Sequence, residues 1–211
     1  AAQSSTARPV STGVTPEQFG AKGDGIADDL RALQAAMQQA SASGRSLELT
    51  AGAVYRFSSC LGLPSGLTIR GNGAVLLSDI QYPDLREDRV AVELMKDSDD
   101  DRAHDVRLEN VTFRAVDSCQ ANYMLRVMLA RNVEFVGCTF DCEPNEWGRC
   151  AADLYGGNEN IRFEGCVFRQ MTSGASGGIW VRNWTDRVES RNIRFQNCEF
   201  YKSGADELLA V

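Results

Sequence analysis

At 211 residues, with 43% hydrophobic and 24% charged side chains, the chain is long enough for one well-buried core and has an ordinary globular composition. A net charge of −7 argues against a nucleic-acid surface, which needs clustered Lys and Arg, and no apolar run approaches the roughly 20 residues of a membrane helix. One histidine and no Cys-x-x-Cys pair argue against a structural zinc site. Residues 1–14 are small and polar with one proline, and read as a linker or N-terminal arm. The chain opens on Ala1 without a methionine, as a processed product does. A helix follows. Asp28 or Asp29 is expected to cap its start, Leu30, Leu33, Ala36, Met37 and Ala40 form its apolar stripe, and Gly44 closes it. Ser46–Thr50 alternates as a strand does, and a second short strand, Val54–Phe57, comes after the Ala51–Gly52 turn.

A repeat then dominates. Val106–Phe113, Val133–Phe140, Ile161–Phe168 and Ile193–Phe200 share one pattern, with starts 27, 28 and 32 residues apart, and Leu67–Val75 is a fainter copy. Each copy runs apolar–polar–apolar, meets Asn or Gly, which tolerate a left-handed backbone, and begins a second strand. A strand, a one-residue corner and another strand at this period predict an all-β solenoid, the parallel β-helix. Equivalent residues then stack about 4.8 Å apart. Val111, Cys138, Cys166 and Cys198 form one column, filled by small apolar groups rather than ligands, and Phe113, Phe140, Phe168 and Phe200 form another. Asn132, Asn160 and Asn192 precede the strands and predict a corner ladder.

Between the copies lies a second strand family: Ala91–Met95, Met124–Met128, Ala151–Tyr155, Gly178–Arg182 and Asp206–Val211. Alternation turns Val92, Leu94, Leu125, Val127, Ala152, Leu154, Ile179 and Val181 inward. Glu93, Arg126, Asp153, Trp180 and Glu207 then point outward, offset by 33 and three times 27 residues. If these strands stack, acid, base, acid, indole and acid lie in line. An indole stacks on a sugar face, while carboxylates and guanidinium bind hydroxyls or uronates. Glu93, Arg126, Trp180 and Arg182 are the candidate substrate-binding residues. Asp153 and Glu207 are the candidate catalytic pair, about 9.6 Å apart along the stack, near the ~6.5–9.5 Å of inverting glycosidases. The alternative is a solvated face with ion pairs such as Arg126 with Glu93 and Asp153.

Other features carry weaker signals. Cys142 and Cys150 flank a loop, and a disulfide there is one reading that spacing leaves open. The Asp97–Asp101 loop is either solvated or a calcium site built from oxygen ligands, without EF-hand spacing. Trp147 and Trp184 sit in loops that either wall the groove or pack on a neighbouring chain. Gly20, Gly23 and Gly25 lack phosphate-loop spacing.

Phe19-Gly-Ala-Lys-Gly-Asp-Gly-Ile-Ala-Asp-Asp29, with Ala32–Ala36, resembles the opening signature of the pectate-lyase-like superfamily, which includes polygalacturonases and phage tailspike depolymerases. The resemblance continues through Leu49–Arg56 and Leu63–Gly73 into the coils. It implies a right-handed parallel β-helix whose N-terminal helix caps the open end, with Lys22, Asp24, Asp28 and Asp29 as turn and cap residues. It also implies a polysaccharide partner, an extracellular, secreted or virion-associated location and, by likeness to tailspikes, a homotrimer. The polygalacturonase motifs Asn-Thr-Asp and His-Gly are absent. The Asp-Asp pairs fall in the cap and the acidic loop, and the single histidine, His104, borders that loop. Residues 15–211 therefore read as the capped N-terminal portion of the β-helix. The chain stops in mid-strand by pattern, so more protein, or another chain, is expected to cover the last coil. Two functions stand: a carbohydrate-active hydrolase or lyase, or a non-catalytic adhesive or fibre segment. Neither calls for a cofactor.

Overall fold

A computed structural model describes residues 13–81, 89–95, 101–142, 150–171, 178–182, 189–202 and 209–210. Three parallel sheets wind around one core. Sheet I stacks Asp24–Asp28, Val54–Phe57, Val75–Ser78, Thr112–Ala115, Thr139–Asp141, Val167–Met171 and Glu199–Lys202. Sheet II stacks Leu61–Gly62, Val90–Met95, Tyr123–Met128, Cys150–Tyr155, Ile179–Arg182 and Leu209–Ala210. Sheet III stacks Leu47–Glu48, Thr68–Arg70, Ala103–Glu109, Ala130–Val136, Glu159–Glu164 and Arg191–Gln196. Each coil contributes one strand to each sheet, as the repeat predicts.

The corner from sheet III to sheet I turns on single residues with positive φ: Asn110 at 51°, Gly137 at 61°, Gly165 at 59° and Asn197 at 53°. These are the Asn and Gly positions of the repeat. In the fainter copy the corner holds two such residues, Asn72 at 52° and Gly73 at 79°. The side chain after each corner points in, producing the cysteine column, with Cys138 and Cys166 buried and Cys198 half-buried. There each thiol donates to a carbonyl one coil earlier: Cys138 to Leu108 at 3.5 Å, Cys166 to Phe135 at 3.3 Å and Cys198 to Phe163 at 3.5 Å. The cysteines thus act as small apolar fillers that also carry a weak donor.

Next to them run two aromatic stacks. Phe113, Phe140, Phe168 and Phe200 stack face to face at 4.9, 4.9 and 5.0 Å, and Phe135, Phe163 and Phe195 at 4.7 and 4.8 Å. The columns meet edge-on, Phe135 to Phe140 at 6.1 Å. Burying each ring contributes about 2–3 kcal/mol, and each aromatic pair roughly 0.5–1.5 kcal/mol more.

The helix Leu30–Ser43 packs on the first coil and buries Ala32, Leu33, Ala36, Met37 and Ala40. Gly44, at φ 63°, ends it. The cap expected at Asp28 or Asp29 is divided between the two. Asp29 occupies the cap position, yet its side chain does not bond the helix. Buried, it reaches back to accept the Lys22 and Gly23 N–H groups at 2.7 and 3.0 Å, while Asp28 accepts Leu30 N–H at 3.1 Å. Asp24 closes its own turn by accepting Ile26 and Ala27 N–H, both at 2.8 Å. The segment expected to be turn alone also supplies the edge strand Asp24–Asp28. Val14, at the end of the expected arm, is buried and exchanges backbone hydrogen bonds with Ser46 and Glu48.

Candidate functional site

The outward column expected from alternation is formed on sheet II. Gly62, Glu93, Arg126, Asp153 and Trp180 are register partners on successive strands. The next rung differs. Ala210, not a carboxylate, pairs with Trp180, so the constant 27-residue offset that placed Glu207 there fails. Glu207 itself lies outside the described residues, as do Trp147, Trp184 and Asp97–Asp100.

The strip is not the open, solvated row that alternation implies. Asp153 is 0% exposed and Arg126 5%. Arg126 Nε donates to Asp153 Oδ2 at 3.0 Å. Arg182, which is displaced along its strand by two residues and pairs in register with Tyr155, leans back over Asp153. Its Nε and Nη2 donate to the two carboxylate oxygens at 2.8 Å each. The hydrogen bond to Asp153 holds the Arg182 guanidinium above its ordinary pKa despite partial burial, so Arg182 is a fixed cation. Both oxygens of the buried Asp153 carboxylate are thus taken by two guanidiniums.

Aromatic rings enclose this cluster. Arg126 lies over Tyr123 at 4.8 Å, and Arg182 over Tyr155 at 4.5 Å and Trp180 at 4.7 Å. Tyr123 and Trp180 meet edge-on at 6.4 Å. Burial pushes the Tyr123 phenol up. Lower on the column, Glu93 bonds Cys60, whose thiol is raised by burial and then by the Glu93 charge. The arrangement can hold a ligand that offers flat apolar faces and acceptor oxygens: rings to stack on, guanidinium to bind carboxylate or hydroxyl.

Tyr155 was legible, because it follows Asp153 by two and alternation puts both on one face. Tyr123 was not, because the alternation that turns Leu125 inward gives it the same side. Among the described residues no cluster of three or more His, Cys, Asp or Glu could hold a metal ion, and no helix is long and apolar enough to cross a membrane. Among the described residues no disulfide joins Cys142 to Cys150. Burial pushes the Cys150 thiol up to about 11.

The family described as rhamnogalacturonase A/epimerase, pectate lyase-like, matches residues 14–200. No curated protein matches the chain. Three solved structures illustrate the fold likeness. The Streptococcus pneumoniae surface adhesin PfbA is 17% identical with a TM-score of 0.65, over 92% of this chain and 50% of that one. A putative glycosyl hydrolase from Parabacteroides merdae is 17% identical with a TM-score of 0.52, over 90% and 98%. Tailspike protein 3 of bacteriophage CBA120 is 15% identical with a TM-score of 0.52, over 93% and 33%. The chain thus spans half the adhesin's length and a third of the tailspike's.

Proposed function

Because the chain belongs to the pectate lyase-like family of rhamnogalacturonase A and epimerases, we propose that it binds polysaccharide along the outer face of sheet II. It does so as part of an extracellular, cell-surface or virion-associated protein. The observation that carries this reading is the cluster of three rings, Tyr123, Tyr155 and Trp180, around two guanidiniums locked by one buried carboxylate. Trp180 and Tyr155 stack on sugar faces. Arg182, with 37% of its side chain exposed, binds a uronate carboxylate or a hydroxyl pair, while Glu93 extends the strip and the buried Arg126 supports it from below. Asp153 positions the two arginines.

Glycoside hydrolysis or lyase cleavage is the second reading, favoured by the family. It requires an acid or base other than Asp153, and Glu207 is the remaining candidate. The test is affinity electrophoresis through pectin, alginate and bacterial capsular polysaccharides. At least one should retard the protein, and Trp180→Ala and Arg182→Gln should each weaken retardation tenfold or more. Undiminished retardation in both variants, or none on any polymer, would overturn the groove assignment. Reducing-end release lost in Glu207→Gln would favour cleavage. Light scattering tests the trimer expected from tailspike likeness, and a monomer rejects it.

A further inference from the structure

A second depression, of about 410 Å³, lies on a different face, along sheet III. One wall is the corner ladder. Asp105, Asn132, Asn160 and Asn192 all have positive φ, and each amide donates to the rung before it: Asn132 to Asp105 at 2.9 Å, Asn160 to Asn132 at 3.1 Å and Asn192 to Asn160 at 2.6 Å. An amide nitrogen carries two protons and the ladder uses one, and all three asparagines line the depression. The opposite wall is the register column Arg107, Glu134, Arg162 and Arg194.

The column is balanced at one end and unbalanced at the other. Arg107 bonds Glu109 at 2.6 Å and also Glu134, and Arg162 bonds Glu164 and lies 3.6 Å from Glu134. Arg107 with Glu109 and Arg162 with Glu164 each follow an Arg-x-Glu pattern within a strand, and Glu134 bridges them from the strand between. At Arg194 the pattern breaks, because the residue two further on is Gln196. Arg194 is exposed, and among the described residues no carboxylate lies within ion-pair distance of it. It sits directly opposite Arg162, and like charges facing across a ladder repel. Among the described residues Arg194 is thus the one arginine of this column with no carboxylate of its own, and it lines the depression with Arg162, Asn160 and Asn192.

From this convergence we infer a second ligand site, for the carboxylate or sulfate group of an acidic glycan, separate from the sheet II groove. A charged oxygen group placed between Arg162 and Arg194 relieves their repulsion, and the amide wall donates to neighbouring hydroxyls. It is tested by titrating the whole chain with a galacturonate oligosaccharide, a neutral oligosaccharide of the same length, and sodium sulfate, following the arginine Nε–H signals by NMR. The acidic oligosaccharide should shift Arg162 and Arg194 and the neutral one should not. Arg194→Glu should weaken this response at least tenfold, Arg194→Lys should retain part of it, and Trp180→Ala should leave it intact. The inference is overturned if the acidic oligosaccharide leaves these signals unmoved, whether or not sulfate shifts them, or if Arg194→Glu binds as before. Loss with Trp180→Ala but not with Arg194→Glu would assign all binding to sheet II.

Discussion

Arg182 grips Asp153 across one rung of sheet II with two hydrogen bonds of 2.8 Å, one to each carboxylate oxygen. Arg126 adds a third from the opposite side at 3.0 Å. The carboxylate is fully buried, so its removal strands two guanidiniums on a partly desolvated face. Asp153→Asn should therefore lower unfolding stability by about 3 kcal/mol and release Arg182, weakening polysaccharide retention with it. Urea denaturation reads the first effect. If Asp153 were instead a proton donor, the amide would keep full stability and lose only chemistry, so a stability change under 0.5 kcal/mol would reject the anchor role.

The corner ladder separates backbone strain from hydrogen bonding. Asn160 has φ 56°, donates to Asn132 and accepts from Asn192. Asn160→Gly loses both side-chain bonds but keeps an easy left-handed backbone. Asn160→Ala loses the bonds and adds left-handed strain of about 1–2 kcal/mol. The alanine variant should be the less stable of the two by that amount in equilibrium denaturation. Equal stabilities would mean that the corner relaxes.

The cysteine column should be chemically quiet and tolerant of shape-preserving change. Val111 occupies its first rung, so Cys138→Val should cost less than about 1.5 kcal/mol. Cys166 is buried, and its thiol is raised by its hydrogen bond with Cys138 and then by burial. A disulfide reagent should therefore leave Cys166 unmodified until the protein unfolds. Modification at the rate of a small free thiol would show the column to be open.

Much of this architecture was legible because stacking makes the repeat a register. Aligning the four copies aligns Phe113 with Phe140, Phe168 and Phe200, and the Asn and Gly corners with their positive φ. Register on sheet II was less secure, because its strands carry no shared motif and loop lengths vary between coils. A fixed offset carried correctly from Arg126 through Asp153 to Trp180, then failed at the rung held by Ala210. Alternation reports which way a side chain leaves the strand and not what covers it. Asp153 points outward and is still buried, because long side chains from neighbouring rungs close over it. Asp28 and Asp29 could not be told apart as caps, because nothing in the local pattern shows that the turn at Lys22 and Gly23 takes the Asp29 carboxylate and leaves the Leu30 N–H to Asp28.

The N-terminal coil holds a titrating pair whose effect on stability has a definite sign. Tyr55 is buried; its hydroxyl donates to Glu17 at 2.5 Å and accepts from Thr50 N–H at 3.1 Å. Burial, then the bond to Glu17, raises the phenol from 10.0 to about 12. Because the folded value is the higher one, the contribution is fully present below about pH 10 and is lost as pH rises through about 12. Glu17 runs the other way. Burial acts against its charge, but hydrogen bonds from Tyr55, its own backbone and Thr50 together hold it below the usual carboxylate value. Its contribution is present above that value and is lost as pH falls through the folded one. Tyr55→Phe should cost about 1–2 kcal/mol at neutral pH. The gap to the parent protein should stay constant up to about pH 10 and close toward pH 12, when followed by denaturant unfolding across a pH series. The gap to Glu17→Gln should close on the acid side instead. A Tyr55→Phe gap still undiminished at pH 12 would show that the phenol titrates alike in the folded and unfolded chain.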